Sequence, residues 1–257
     1  MTDQDLLLLD KSGFIPGPNE NEETFLERVE ATKKKYENGQ WIPEAHWDWV
    51  REYLFELFNV KPLYICAFYS NQNLAPWQGA ATWIEGRTLN SVQLREGLKK
   101  GVYLGLYRRE EILAHEAVHG ARSAFNENVS EEFFAYMTSE KKYRRVLGPI
   151  LKRPWEAWPF MVFAIGGIVW PVLYLCGAIW AALGFYRLIQ QHLRLKRAAD
   201  HIYKRTKDAR RTRAILFRLT DEEIEQFSKK QIAIELFAET QDCLRWRVIR
   251  TYLRGES

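Results

Sequence analysis

The chain has 257 residues and a formal net charge of +4, enough length for one sizeable hydrophobic core with further segments attached. Its three cysteines are far apart, odd in number and match no metal-binding spacing. This argues against a disulfide scaffold and favours free thiols in a reducing compartment. An acidic start precedes a run of four Leu, which is too short for a secretory signal peptide.

The first part of the chain predicts an irregular arm followed by two helices. Residues 1–19 combine the Leu run with a turn segment rich in Pro and Gly, so we expect a loosely ordered arm whose Leu side chains pack on the core. Apolar residues at helical spacing predict a helix that starts at residues 19–23 and stops at Gly39. A second helix is predicted from Pro43 to about Phe58.

The periodicity then changes to that of strands. Three strands are predicted, at residues 62–69, 80–84 and 88–94, separated by turn residues. An exposed edge strand can pair with the extended backbone of a bound polypeptide. Residues 88–94 or 102–106 could be that strand, and a plain sheet beneath the helices is the alternative.

Residues 112–121, Ile-Leu-Ala-His-Glu-Ala-Val-His-Gly-Ala, contain an HExxH motif on a helix predicted to span about residues 108–124. His115 and His119 lie one turn apart on one face, so both imidazoles can bind one Zn²⁺. Glu116 can hold a metal-bound water and take its proton. The alternative is an amphipathic helix without metal, but two His and a Glu on an otherwise apolar helix are costly to bury unpaired.

A zinc hydrolase needs a third protein ligand and an open position. No His follows the motif at the short spacing of the metzincins. A new helix is predicted from a Ser130 N-cap to about Val146, and residues 132–135 read Glu-Phe-Phe-Ala. Here the chain resembles the gluzincin superfamily of metallopeptidases, in which HExxH is followed by a Glu ligand, often in Glu-x-x-Ala, on a second helix. The resemblance covers about residues 112–136 and implies that Glu132 is the third ligand.

Two other carboxylates compete for this role. Glu131 is adjacent, and Glu235 opens a second Glu-x-x-Ala sequence on a later helix. Tyr136 stands where gluzincins often have an Asp, so the contact made by that Asp is not predicted for this chain. An oxyanion donor is also needed, and the sequence does not rank the Tyr candidates, which are Tyr103, Tyr107, Tyr136 and Tyr143.

Residues 157–186 contain no charged side chain, whereas a bilayer span needs only about twenty apolar residues. The helix must bend or break at Trp170-Pro171. Both flanks are basic, with Lys141, Lys142, Arg144, Arg145, Lys152 and Arg153 before the segment and Arg187, Arg194, Lys196 and Arg197 among those after it. The positive-inside rule then favours a shallow hairpin near Pro171 over one tilted span, with the catalytic domain on the cytoplasmic side.

The C-terminal region is predicted to be helical. Residues 187–213 are basic and could lie on anionic lipid, with nucleic acid as a less favoured partner. Residues 220–223 form a capping box that opens a last amphipathic helix. That helix could pack on the catalytic domain or dimerise, and its apolar residues are Ile224, Phe227, Ile234, Phe237, Leu244 and Ile249.

Together these patterns predict an α+β protein. A zincin-like catalytic domain occupies residues 1–150, a transmembrane segment or membrane hairpin residues 151–190, and a basic helical region residues 191–257. The predicted function is a membrane-attached zinc metalloendopeptidase that uses His115, His119, Glu132 and Glu116 on a polypeptide substrate. The alternative is a non-enzymatic membrane scaffold or lipid-binding protein with a structural or vestigial zinc site. Neither alternative involves nucleic acid, and the sequence does not predict an oligomeric state.

Overall fold

The computed structural model describes residues 1–75, 78–125, 129–150, 156, 158–229 and 232–255. Over these ranges the chain is an α+β protein, as predicted. The helices are α1 (Asp3–Lys11), α2 (Glu22–Asn38), α3 (Asp48–Phe58), α4 (Arg109–Ala121), α5 (Val129–Met137), α6 (Lys142–Leu147), α7 (Trp158–Val169), α8 (Val172–Thr206), α9 (Ala209–Phe217), α10 (Asp221–Ser228), α11 (Ile234–Thr240) and α12 (Leu244–Arg254). The strands are β1 (Ala67–Tyr69), β2 (Ala80–Glu85), β3 (Thr88–Leu94), β4 (Val102–Tyr103) and β5 (Tyr107–Arg108).

The N-terminal segment is ordered, so the prediction of a loose arm is wrong. Thr2 and Asp5 form a capping box that starts α1, which satisfies backbone donors at the helix end. Leu6 is fully buried, as expected, whereas Leu8 of the same run is exposed. Asp10 is also fully buried. Asp10 pairs with Arg218 of the C-terminal region at 2.5 Å. This long-range ion pair orders α1, and nothing in the local sequence signals it.

The three predicted strands form one sheet in the order β1-β3-β2, with β1 parallel and β2 antiparallel to β3. Because β3 is central and paired on both sides, the prediction that residues 88–94 form an edge strand is wrong. Val102 and Tyr103 of the other predicted edge pair instead with β5 in a separate two-stranded ribbon. Within the described residues β2 is an edge strand, and it packs against α4.

The helix after the metal helix is shorter than predicted. It ends at Met137, and α6 begins separately at Lys142. Thr138 Oγ1 donates to the carbonyl of Ala135 at 2.6 Å, and the Ser139 hydroxyl bonds to Glu111. Such side-chain bonds compete with continuation of a helix. The predicted N-cap, Ser130, lies inside the first turn of α5 instead.

An antiparallel helical hairpin forms from α7 and the first half of α8. A Cβ atom at Gly177 would lie 3.2 Å from Cβ of Phe163, although residues so far apart in one straight helix are about 20 Å apart. The chain therefore reverses at Trp170 and Pro171, as the hairpin interpretation requires. In the described part of the chain, α8 alone is long and apolar enough to cross a membrane, and 11 % of its most apolar stretch is buried. Lys152 and Arg153, which belong to the predicted basic flank, lie outside the described residues.

The C-terminal region folds against the N-terminal part of the chain. The capping box is confirmed, since Thr220 and Glu223 exchange both expected bonds. The prediction of a single last helix is wrong, because Gln241 and Cys243 adopt an extended backbone conformation and separate α12 from α11. The predicted boundary between residues 190 and 191 falls within α8. One hydrophobic core includes side chains from α1, α3, α4, α5, α9, α10 and α12.

Candidate metal centre

The position of α4 follows from its sequence. Its buried face carries small and branched apolar residues, which are Leu113, Ala114, Ala117, Val118 and Ala121. Gly120 permits close approach to β3, because a Cβ there would lie 3.0 Å from Cδ2 of Leu89. With this face against the core, His115 and His119 project together, four residues apart. Their ring centroids are 5.1 Å apart.

The three predicted ligands converge. The Nε2 atoms of His115 and His119 are 3.4 Å apart. Glu132 on α5 faces both rings, with Oε1 3.6 Å from Nε2 of His119 and Oε2 3.9 Å from Nε2 of His115. A tetrahedral zinc site with bonds of about 2.0–2.2 Å separates its ligand atoms by roughly 3.3–3.6 Å. These residues are therefore spaced closely enough to hold one metal ion.

Glu131 and Glu132 are neighbours in sequence but contact different atoms. Oε1 of Glu131 lies 2.6 Å from Nδ1 of His119, on the side of the ring away from Nε2. A carboxylate in this position fixes the tautomer and orientation of a metal-binding His. Glu235, the other alternative, pairs with Arg205 at 2.6 Å. The structure thus brings Glu132 to the Nε2 atoms, whereas Glu131 contacts the opposite nitrogen of one ring.

Glu116 is a buried carboxylate held by the sheet. Oγ1 of Thr82, on β2, donates to Oε2 of Glu116 at 2.6 Å, which fixes the orientation of the carboxylate. Burial raises the pKa of Glu116, while the charge of His119 and the bond from Thr82 oppose the rise. Thr82 was not among the predicted site residues, since a single Thr in a strand carries no sequence signal.

Burial and neighbouring charges shift the pKa values of the titratable groups in the site. Burial, with the charge of His119, lowers the pKa of His115 to about 3. Burial also disfavours the charged form of His119, but the hydrogen bond and charge of Glu131, with the charge of Glu132, outweigh it and raise its pKa to about 9. Burial, with a contribution from Glu116, raises the pKa of Glu132 to about 7. The raised pKa of His119 therefore favours its protonated form at neutral pH.

Of the four tyrosines considered from the sequence, Tyr136 is the one that contacts a predicted ligand. Its ring packs edge-on against His115, with centroids 4.8 Å apart and planes at 76°. Burial and the charge of Glu132 raise the pKa of Tyr136 to about 12, so its hydroxyl stays a hydrogen-bond donor. Tyr143 is exposed, and Tyr107 lies beneath the guanidinium of Arg144.

The N-terminal end of α5 is held by a residue far away in sequence. The backbone N–H of Ser130 donates to Oδ1 of Asp221 at 3.0 Å, so α10 fixes the turn that carries both glutamates. Further along α5, the ring of Phe133 packs edge-on against His192 of α8. Neither contact was predicted, because each joins residues more than fifty positions apart.

Comparison with known proteins adds no relative: no protein-family model, no curated protein and no solved structure matches this chain.

Proposed function

We propose that this chain is a membrane-attached zinc metallopeptidase of the gluzincin type, with a zincin-like catalytic domain. The observation that carries the proposal is the convergence of the Nε2 atoms of His115 and His119 with the carboxylate of Glu132, beside the buried carboxylate of Glu116. Two imidazoles and one carboxylate are a donor set that suits zinc and leaves a coordination position open. Buried polar groups of this kind are costly without such a partner.

His115, His119 and Glu132 would hold the ion. Bound Zn²⁺ would polarise the scissile carbonyl and lower the pKa of a water molecule. Glu131 keeps His119 in the tautomer that presents Nε2, because its carboxylate accepts a hydrogen bond from Nδ1. The two adjacent glutamates therefore divide the work between binding and orientation.

Glu116 is placed to act as the general base. It accepts the proton of the attacking water as a general base and then donates it to the leaving amine as a general acid. Its raised pKa suits this role, because burial makes the protonated form accessible. Tyr136 lies against His115, where its hydroxyl can donate to developing negative charge on the substrate.

An extended polypeptide would bind along β2. Its free edge in the described structure offers unpaired backbone groups, and a peptide added there gains main-chain hydrogen bonds. Thr82 of this strand bonds to Glu116, so a peptide paired with β2 passes close to the general base. This is the property expected of an endopeptidase that takes unfolded segments.

The apolar hairpin supports attachment to a membrane. Its side chains are mostly exposed, whereas a core helix of equal apolarity would be covered. With 12 residues in α7, each arm reaches roughly 18–22 Å, less than the 30 Å hydrocarbon core of a bilayer. A hairpin of this length enters one leaflet and turns, which keeps both basic flanks and the catalytic domain on the cytoplasmic side.

The experiment compares zinc content and cleavage of a fluorescent unfolded polypeptide. Wild type should bind one zinc per chain and cleave, Glu116→Gln should bind zinc with cleavage reduced roughly 10²- to 10⁴-fold, and Glu132→Gln should lose zinc. Glu235→Gln is the matched control and should behave as wild type. Absence of zinc from wild type would refute the proposal, and zinc without cleavage in wild type would favour a structural metal site in a membrane scaffold.

A further inference from the structure

A second group of exposed apolar side chains lies outside the hairpin. The ribbon β4–β5 turns at Leu104 and Gly105, and α6 exposes an apolar face at spacing i, i+3, i+4. We call these residues the turn–α6 surface: Val102, Leu104, Leu106, Tyr143, Val146 and Leu147, all of them exposed. Monomeric soluble proteins rarely expose clustered apolar side chains without a function.

Specific contacts hold the two halves of this surface together. Nη2 of Arg144 donates to the carbonyl of Leu106 at 2.7 Å, and Nη1 lies 3.1 Å from Glu111 of α4. The guanidinium also covers the ring of Tyr107. The turn and α6 therefore form one unit anchored to the metal helix.

This unit adjoins the base of the apolar hairpin. Nε2 of His192 on α8 donates to the carbonyl of Val146 at 2.9 Å. A Cβ at Gly184 would lie 3.6 Å from Ile150, just after α6. Residues 184–192 are where the uncharged part of α8 gives way to Arg187 and the basic segment. The turn–α6 surface is thus continuous with the end of the hairpin that would lie at the membrane surface.

The charges around it match an anionic bilayer. Lys141, Lys142 and Arg145 are exposed on α6, beside the apolar face. Arg187 is exposed on α8, within the residues 184–192 that adjoin α6. Basic residues flanking exposed apolar ones are typical of segments that lie in the headgroup region of anionic membranes. Glu140, the acidic residue next to this cluster, is paired with Arg108.

We propose that the turn–α6 surface inserts into the headgroup and upper acyl region of an anionic membrane, and so holds the metal centre at the bilayer surface. The inference rests on the membrane attachment proposed above. Insertion would bring the site close to lipid. Arg144 of α6 contacts Glu111, which lies one helical turn before His115, and His192 of α8 packs on Phe133 of α5. The peptide bonds within reach are then those of polypeptide segments next to the membrane.

The test measures the depth of a fluorescent label in full-length protein. Cys66 and Cys243 are replaced by Ala, which leaves Cys176 in the hairpin as one labelling site. Adding Cys176→Ala permits labels at Leu104→Cys, or at Leu8→Cys as the matched control, since Leu104 and Leu8 are similarly exposed at 60 % and 65 %. Vesicles contain equal amounts of phosphatidylcholine and phosphatidylglycerol, with a nitroxide quencher on the acyl chains.

Labels at 176 and 104 should be quenched several-fold more than the label at 8, and quenching at 104 should fall in vesicles of phosphatidylcholine alone. Quenching at 176 with values at 104 equal to those at 8 would overturn the turn–α6 proposal and leave the hairpin inserted. Absence of quenching at 176 would overturn membrane attachment itself. Equal quenching at 104 in both vesicle types would refute the role of anionic lipid.

Amide hydrogen exchange of residues 102–106 in unsubstituted protein provides the same comparison if a variant fails to fold. Protection on anionic vesicles is the expected result, and unchanged exchange would refute the proposal.

Discussion

The contact between Glu131 and His119 predicts how zinc affinity changes with pH. If the site holds zinc as proposed, the metal displaces a proton from His119 at pH 7, because the pKa of His119 is raised to about 9. This displacement costs about 3 kcal/mol, since each pKa unit is worth about 1.36 kcal/mol. The sign is that affinity of wild type rises as pH increases, by about tenfold per unit, until pH passes the pKa. Between pH 7 and 9 the gain should therefore be about a hundredfold.

Glu131→Gln keeps the shape of the side chain but removes its charge. The pKa of His119 should then fall, because burial, which lowers it, is no longer outweighed by Glu131. Zinc displaces fewer protons, but the imidazole becomes a poorer ligand, and loss of such a partner typically weakens metal affinity by roughly 10- to 100-fold. The two effects oppose each other at pH 7. The variant should bind zinc about as tightly as wild type at pH 7 and roughly 10- to 100-fold more weakly at pH 9.

Two measurements check this prediction. Competition with a chromophoric chelator gives the affinity at each pH, and calorimetry in buffers of different ionisation enthalpy gives the protons released. At pH 7.5, wild type should release about one proton more than Glu131→Gln, because His119 is protonated only in wild type. Equal proton release by the two proteins would show that Glu131 does not hold the proton on His119, and the division of roles between the two glutamates would fail.

Three further predictions concern one buried ion pair and two contacts of the candidate site. Asp10→Asn leaves the charge of the fully buried Arg218 guanidinium uncompensated. In urea denaturation the free energy of unfolding should fall by about 3–5 kcal/mol. As a control, Glu52→Gln in the exposed pair with Lys61 should change it by less than about 0.5 kcal/mol. Thr82→Val removes the hydrogen bond to Glu116. Because such a bond contributes about 1–1.5 kcal/mol, kcat should fall about tenfold while zinc content stays unchanged. An unchanged kcat would mean that Thr82 does not need to orient the carboxylate of Glu116. Tyr136→Phe should retain zinc and fold, and lose kcat by roughly 10²-fold or more if its hydroxyl stabilises the oxyanion; a change in KM alone would remove that role.

Local sequence predicted those features that local chemistry decides. The HExxH spacing, the apolar face of α4 and the capping box at Thr220 depend on residues within one or two turns of each other. The three strands of the sheet also came close to their predicted positions, since alternation and turn residues delimit them. The sequence predicted no strand order, and in the structure β3 lies between β1 and β2, which both precede it in the chain.

Local sequence does not determine which of Glu131 and Glu132 faces the two imidazoles. Adjacent helical residues point about 100° apart, so only one can face the Nε2 atoms, and which one depends on the rotation of α5. That rotation is set by contacts from distant segments, through Asp221 to the backbone of Ser130 and through His192 to Phe133. The ordered N-terminus has the same kind of cause, since Arg218 reaches Asp10 across 208 positions.

These contacts also bear on how the apolar hairpin relates to the candidate metal centre. A tether would leave the ligand helix independent of the hairpin, but α8 continues for 35 residues without a break and touches α5 one residue from Glu132. α8 also packs on α10, whose Asp221 accepts a hydrogen bond from the backbone of Ser130 in the first turn of α5. α8 and α10 therefore both contact the helix that carries Glu132. The long helix is therefore part of the framework that positions Glu132 beside the two imidazoles.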